Sequence, residues 1–116
     1  MAVQEALTSV TLPAGADLRT HQFKFVSVDA SGNVVLTADD GLAQGVLLND
    51  PNTGEAAVVG ISGILKVKCG AAVTRGGRVG SGANGAAKNV DTNAEDLGTA
   101  LETGADGRII SILFRR

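Results

Sequence analysis

The stretch "GSGANG" at residues 80–85 decides how this chain is read. Its glycines fall as G-x-G-x-x-G, the spacing of a dinucleotide-binding turn, and Glu102 lies about 20 residues on, where that fingerprint needs an acid. The fingerprint also needs a strand before it and a helix opening on it. Before it stands "TRGGRVG" (74–80), whose paired glycines weaken a central parallel strand. After it, "AAKNVDTN" (86–93) sets Asn, Asp and Thr where a crossover helix should begin, and no βαβ alternation occurs elsewhere. Turn glycines that permit φ > 0 are the better reading.

Period-two runs dominate the rest. "TSVTL" (8–12), "QFKFVSVD" (22–29), "NVVLT" (33–37) and "GVLLN" (45–49) read as short strands. In the second of these, Phe23, Phe25 and Ser27 are expected on one face and Lys24, Val26 and Val28 on the other. "EAAVVGISGILKVK" (55–68) is a long β-branched stretch with Gly60 and Gly63 placed to bend or bulge it, and "GTALE" (98–102) and "GRIISILFRR" (107–116) close the chain. "DASGN", "ADDG", "NDPNTGE" and "GADG" mark the turns between them. "DLRTHQF" (17–23) and "NAEDLGTALE" (93–102) could each hold one helical turn. The expected fold is all-β, a small single-domain β-barrel or β-sandwich of short strands.

An internal repeat supports that reading. Shifting the second half back by 53 residues lays Gly85 on Gly32, Gly98 on Gly45, Gly107 on Gly54, Leu101 on Leu48, Ile110 on Ala57 and Ile112 on Val59. A shift of 55 sets "VTLPAGADL" (10–18) against "LKVKCGAAV" (65–73). The expected layout is an extended N-terminal arm over 1–12 and one β domain over 13–116, with pseudo-repeat halves near 10–62 and 65–114. In this register "GSGANG" answers "DASGN" as the turn of a hairpin.

Composition narrows the function. The 116 residues carry a formal charge of −2, no Trp, no Tyr and no basic run, so neither a phosphate-tracking groove nor a base-stacking platform is expected. The lone Cys69 has no disulfide partner, which fits a reducing compartment, and a small buried filler is its commoner role. "MAVQEALTSV" has neither the charged n-region nor the apolar h-region of a signal peptide, and no apolar run reaches the ~20 residues of a membrane helix. With a core of Val, Leu, Ile and Ala and only three aromatic residues, the chain is expected to gain from a partner or from self-association.

No catalytic set, cofactor site or metal site is expected. His21 is the single histidine, so a metal triad or a Ser-His-acid set is hard to build, and a rim position is expected for it. "DPNTGE" (50–55) alternates Asp50, Asn52 and Glu55 but puts Gly54 one position early for an EF-hand loop and reads as a proline-led turn. Lys66 and Lys88 lack the flanking residues of a swinging-arm lysine, and the paired acids Asp39–Asp40 and Glu95–Asp96 sit in polar turns. The arm is different. Ala2, Val3, Gln4, Glu5, Ala6, Leu7, Thr8, Val10 and Leu12 are mixed apolar and polar with no punctuation before Pro13, suited to pairing with another chain's sheet edge.

The order of Ala14–Gly15, Gly32, Gly45–Val46, Gly54–Glu55, Gly63, Gly70–Ala71, Gly85, Gly98, Ala100–Leu101 and Gly107, followed by Ile109, Ile110 and Leu113, resembles the small capsid decoration (cement, head-stabilising) proteins of tailed bacteriophages over nearly the whole chain. Arg108, where that family often has Glu, and the Arg-rich "TRGGR" depart from it. The resemblance implies a non-enzymatic protein made in the host cytoplasm and bound outside the expanded head. There it bridges coat subunits against DNA pressure, commonly as a homotrimer at threefold positions, although a dimer fits as well. The implied partners are the major capsid protein, through residues 2–12, and other copies of itself, with no nucleic acid and no membrane. A small β-type ligand- or glycan-binding module is the alternative, against which the missing Trp and Tyr count.

Overall fold

The structure, a computed structural model, describes residues 5–91 and 95–115. Nine strands run through them: β1 (Glu5–Pro13), β2 (Phe25–Val28), β3 (Val34–Leu36), β4 (Gly45–Leu47), β5 (Ala56–Lys68), β6 (Arg78–Ser81), β7 (Ala87–Asn89), β8 (Gly98–Ala100) and β9 (Ile109–Phe114). The described residues hold no helix beyond one 3₁₀ turn at Ala83–Gly85. The stretch 17–23 forms turns, and 93–94 of the other expected helical turn lie outside the described residues.

Every pairing in the first half recurs in the second. Val26 faces Leu36 as Val79 faces Asn89, and Phe25 faces Val46 as Arg78 faces Thr99. Val46 faces Gly60 as Thr99 faces Leu113. All of these are offset by the 53 residues read from the sequence. The 55-residue shift is equally real: Val10 pairs Val59 on β5, and Leu65 pairs Ile112 on β9. Each half is therefore a curled run of strands, β1-β5-β4-β2-β3 and β5-β9-β8-β6-β7. Each curl is closed by a single parallel bridge, Ala14 to Val34 in the first and Cys69 to Ala87 in the second.

The two curls share β5. Its N-terminal part lies between β1 and β4, and from Gly63 onward the edge that held β4 takes β9 instead. Gly63, at φ 95, sits at that exchange of partners. Along β1 the register slips twice, at Leu7 on one strand and Ile61 on the other, and the two bulges cancel.

Packing follows the duplication and then breaks it. Ala14, Leu18, Val26, Val34, Leu47, Ala57 and Val59 fill the first curl, and their counterparts Cys69, Val73, Val79, Ala87, Ala100, Ile110 and Ile112 fill the second. The second core also takes Phe25 and Val46 from first-half strands, Ala43 from the loop before β4 and Leu65 from the shared β5, with Phe25 and Phe114 ring centroids 6.4 Å apart. Both Phe25 and Val26 are buried, so β2 is covered on both faces. Phe23 does not share its face with Phe25, because it lies outside the strand at φ 67.

The glycines of the opening stretch are explained by contact as well as by φ. Gly85 has φ +75, and a Cβ there would lie 2.5 Å from the carbonyl oxygen of Phe25. The hairpin turn of the second half thus seats on the first half's β2. Its counterpart Gly32, at φ +83, faces open space. Gly32→Ala should cost only the left-handed conformation, about 1–2 kcal/mol. Gly85→Ala adds a backbone clash and should cost at least about 2 kcal/mol more. Urea unfolding of the two variants against the parent measures the difference.

Candidate functional site

Three features stand out on the surface, and the first is the strand expected as an arm. Residues 5–13 lie extended along β5, and among the described residues β5 is the only strand paired with β1. Thr8, Ser9, Val10 and Thr11 are exposed, and Leu12 is half-buried against the first core. A strand paired on one side leaves backbone N–H and C=O groups open on the other. Of the sequence candidates, Glu5, Ala6, Leu7, Thr8, Val10 and Leu12 fall on this strand, while Ala2, Val3 and Gln4 lie outside the described residues.

The second feature is the outer face of β5 and β9, exposed at Ile109 and Leu113 but buried at Ser111 between them. Ile64, Lys66 and Lys68 stand opposite Leu113, Ser111 and Ile109, so these side chains share one side of the sheet. Ile109 and Leu113 are about two-fifths exposed, as is Leu101 on the neighbouring chain segment.

The third feature, a corner before β2, was not singled out in the sequence. The ammonium of Lys66 lies 5.5 Å from the ring centroid of Phe23, and Lys68 donates its amide to the Phe23 carbonyl at 2.8 Å. The ammonium of Lys24 lies 3.1 Å from His21 Nδ1. Partial burial, then the nearby charge of Lys68, pushes the Lys24 ammonium below its ordinary range. Partial burial, then the charge of Lys24, holds His21 below the usual histidine value. The signal was available: the 53-residue register lays Phe23 on Gly76.

The remaining candidates are occupied structurally. Cys69 is buried, and that burial raises its thiol pKa. The pair Asp39–Asp40 holds Lys88 at 2.8 and 2.5 Å, which raises the lysine pKa, though such exposed pairs stabilise little. Asp96 pairs with Arg115 and accepts the Gly98 amide at 3.0 Å. In 50–55, Glu55 accepts the Asn52 amide at 2.7 Å and Gly54 takes φ 81, which closes a turn rather than a calcium loop. Among the described residues no group of three His, Cys, Asp or Glu side chains could hold a metal ion. A cleft of about 280 Å³ lies beside Lys88, lined by Asp39, Gly70, Ala71, Gly82, Ala83 and Ala87. Its titratable groups are Asp39 and Lys88, which pair with each other, and the rest of its lining is glycine and alanine.

The His21 shift sets a pH dependence. A lowered folded pKa means the unfolded chain takes up the proton more readily, so this stability is complete above 6.5 and is lost as pH falls below that value. Unfolding free energies measured between about pH 7 and pH 5 should therefore decline, and His21→Gln should flatten that part of the slope.

No protein-family model matches the sequence, and no curated protein matches it. The fold is shared with a solved structure, the N base of the head fiber protein gp8.5 of bacteriophage phi29. The two superpose with a TM-score of 0.80 over 93% of each chain at 17% sequence identity, so the all-β, barrel-like fold expected from the sequence is shared with that structure.

Proposed function

We propose that the protein is a structural component of a tailed-phage virion, docked on the outer surface of the head, where it stabilises the expanded coat lattice. One observation carries the reading. The fold matches that of a head-fiber base across 93% of both chains, at an identity too low for simple copying of surface residues. The ordered glycine and apolar pattern of the decoration proteins supports it.

Two surfaces suit the task. The open edge of β1 offers main-chain hydrogen bonds to a strand of the major capsid protein. The exposed Leu101, Ile109 and Leu113 offer an apolar contact between copies, which would assemble as a trimer at threefold positions or as a dimer. Association then makes several weak contacts act together, because the second and third contacts form at high effective concentration. No cofactor enters, and no reaction is catalysed.

A small-molecule- or glycan-binding module is the second reading, and the cleft beside Lys88 is the feature that favours it. Apart from Asp39 and Lys88, its walls are glycine and alanine. The aromatic rings that stack on sugars are unavailable, since Phe25 and Phe114 are buried and Lys66 lies over Phe23.

The test is to mix the protein with expanded, undecorated heads of the phage whose genome carries the gene, sediment the heads and count bound copies per coat subunit. Binding should saturate at a fixed lattice stoichiometry and raise the temperature at which heads rupture. Thr8→Lys and Val10→Lys place charge on the exposed strand. Each should leave the fold intact and weaken head binding about tenfold, near 1.4 kcal/mol. Absence of co-sedimentation would shift the reading to the binding module.

A further inference from the structure

The duplication puts two versions of one corner into the same molecule. In the second half it is Gly76–Gly77: Gly76 takes φ +81 and donates to Ala100 O at 2.8 Å, and Gly77 donates to Thr74 O at 3.0 Å. In the first half it is Phe23–Lys24: Phe23 takes φ 67 and donates to Leu47 O at 2.8 Å, and Lys24 donates to His21 O at 3.3 Å. The partners correspond through the same 53-residue offset. The fold asks for a left-handed residue here, and glycine supplies it without strain. A phenylalanine supplies it against a steric cost, an outlier that calls for a reason outside the backbone.

What the first corner adds is side chains. Three of the four lysines, Lys24, Lys66 and Lys68, and the single histidine gather around Phe23 in a chain of net charge −2. Among the described residues neither Lys24 nor Lys68 has a carboxylate partner. Asp17, in the same loop, is held by Arg19 at 2.9 Å. The acids Asp39, Asp40 and Asp96 are taken by Lys88 and Arg115. Arg19, Lys88 and Arg115 each hold a carboxylate, whereas Lys24 and Lys68 lie close to one another and to His21. Docked carboxylates would relieve that crowding. Phosphate chains fit less well, since the Phe23 ring carries Lys66 rather than a free stacking face, and the chain has no Trp or Tyr. The corner also adjoins the apolar outer face, because Lys68 stands directly opposite Ile109.

We propose that the Phe23 corner docks an acidic protein surface, with aspartate or glutamate side chains of the coat shell seated on Lys24 and Lys68 beside the Phe23 ring. This rests on the head-docking reading above. Phe23→Gly copies the second corner, and Lys24→Glu/Lys68→Glu reverses its charge. Both variants should melt within about 5 °C of the parent. Both should bind expanded heads at least about tenfold more weakly, and parent binding should weaken as NaCl rises. Folded variants that bind heads as the parent does would overturn the corner while leaving head docking in place. So would a Phe23→Gly protein that fails to fold, since the ring would then be structural. Parent protein that ignores heads would overturn the head-docking reading itself. A second readout needs no heads: amide NMR with a poly-glutamate peptide and, separately, a DNA oligonucleotide. Shifts at residues 21, 24, 66 and 68 with poly-glutamate support the corner, whereas no shift, or shifts with DNA alone, overturns it.

Discussion

The structure hangs on the double use of β5. Its thirteen residues serve as the last strand of one curl and the first strand of the next, hydrogen-bonded to β1 and β4 at one end and to β9 at the other. Two small units with alanine- and valine-rich interiors would each bury too little apolar area to stand alone. A strand common to both joins the two hydrogen-bond ladders, and Phe25, Val46 and Leu65 join the two cores. The exchange of partners at Gly63 lets one chain segment do this without breaking its own run.

The duplication is not symmetric in its packing, and the asymmetry limits assembly. The second half covers Phe25, Ala43 and Val46 on the first. The counterpart positions on the second half are Arg78, Asp96 and Thr99, and Arg115 bonds to both Asp96 and Thr99. A third unit of the same kind would meet charge where the second met apolar side chains. The contacts proposed with other molecules use the open edge of β1 and the outer face of β5 and β9.

Much of the architecture was legible because the local rules and the global fold agree. Alternating runs marked the strands, and Gly32, Gly85, Gly54 and Gly107, all at positive φ, made the 53-residue register visible. That register separated a hairpin turn from a nucleotide loop at 80–85. Other features left no local trace. Nothing in "EALTSVTLP" says that it pairs with the chain's own β5, because alternation reports a face and not a neighbour. The placing of Phe23 with Phe25 failed because the strand begins two residues later, after a left-handed residue that no pattern of apolar side chains reveals. The cationic corner was hidden for a related reason: its members come from 21–24 and 66–68, which only the closing of the first curl brings together.

The proposed docking uses the open edge of β1 and the Phe23 corner. The most direct measurement is a cryo-EM reconstruction of expanded phage heads incubated with the protein. Density for the domain should lie at fixed positions on the outer lattice, with the open edge of β1 and the Phe23 corner turned towards the coat. A lattice without added density, or a domain bound with both of those features facing solvent, would contradict the proposed docking.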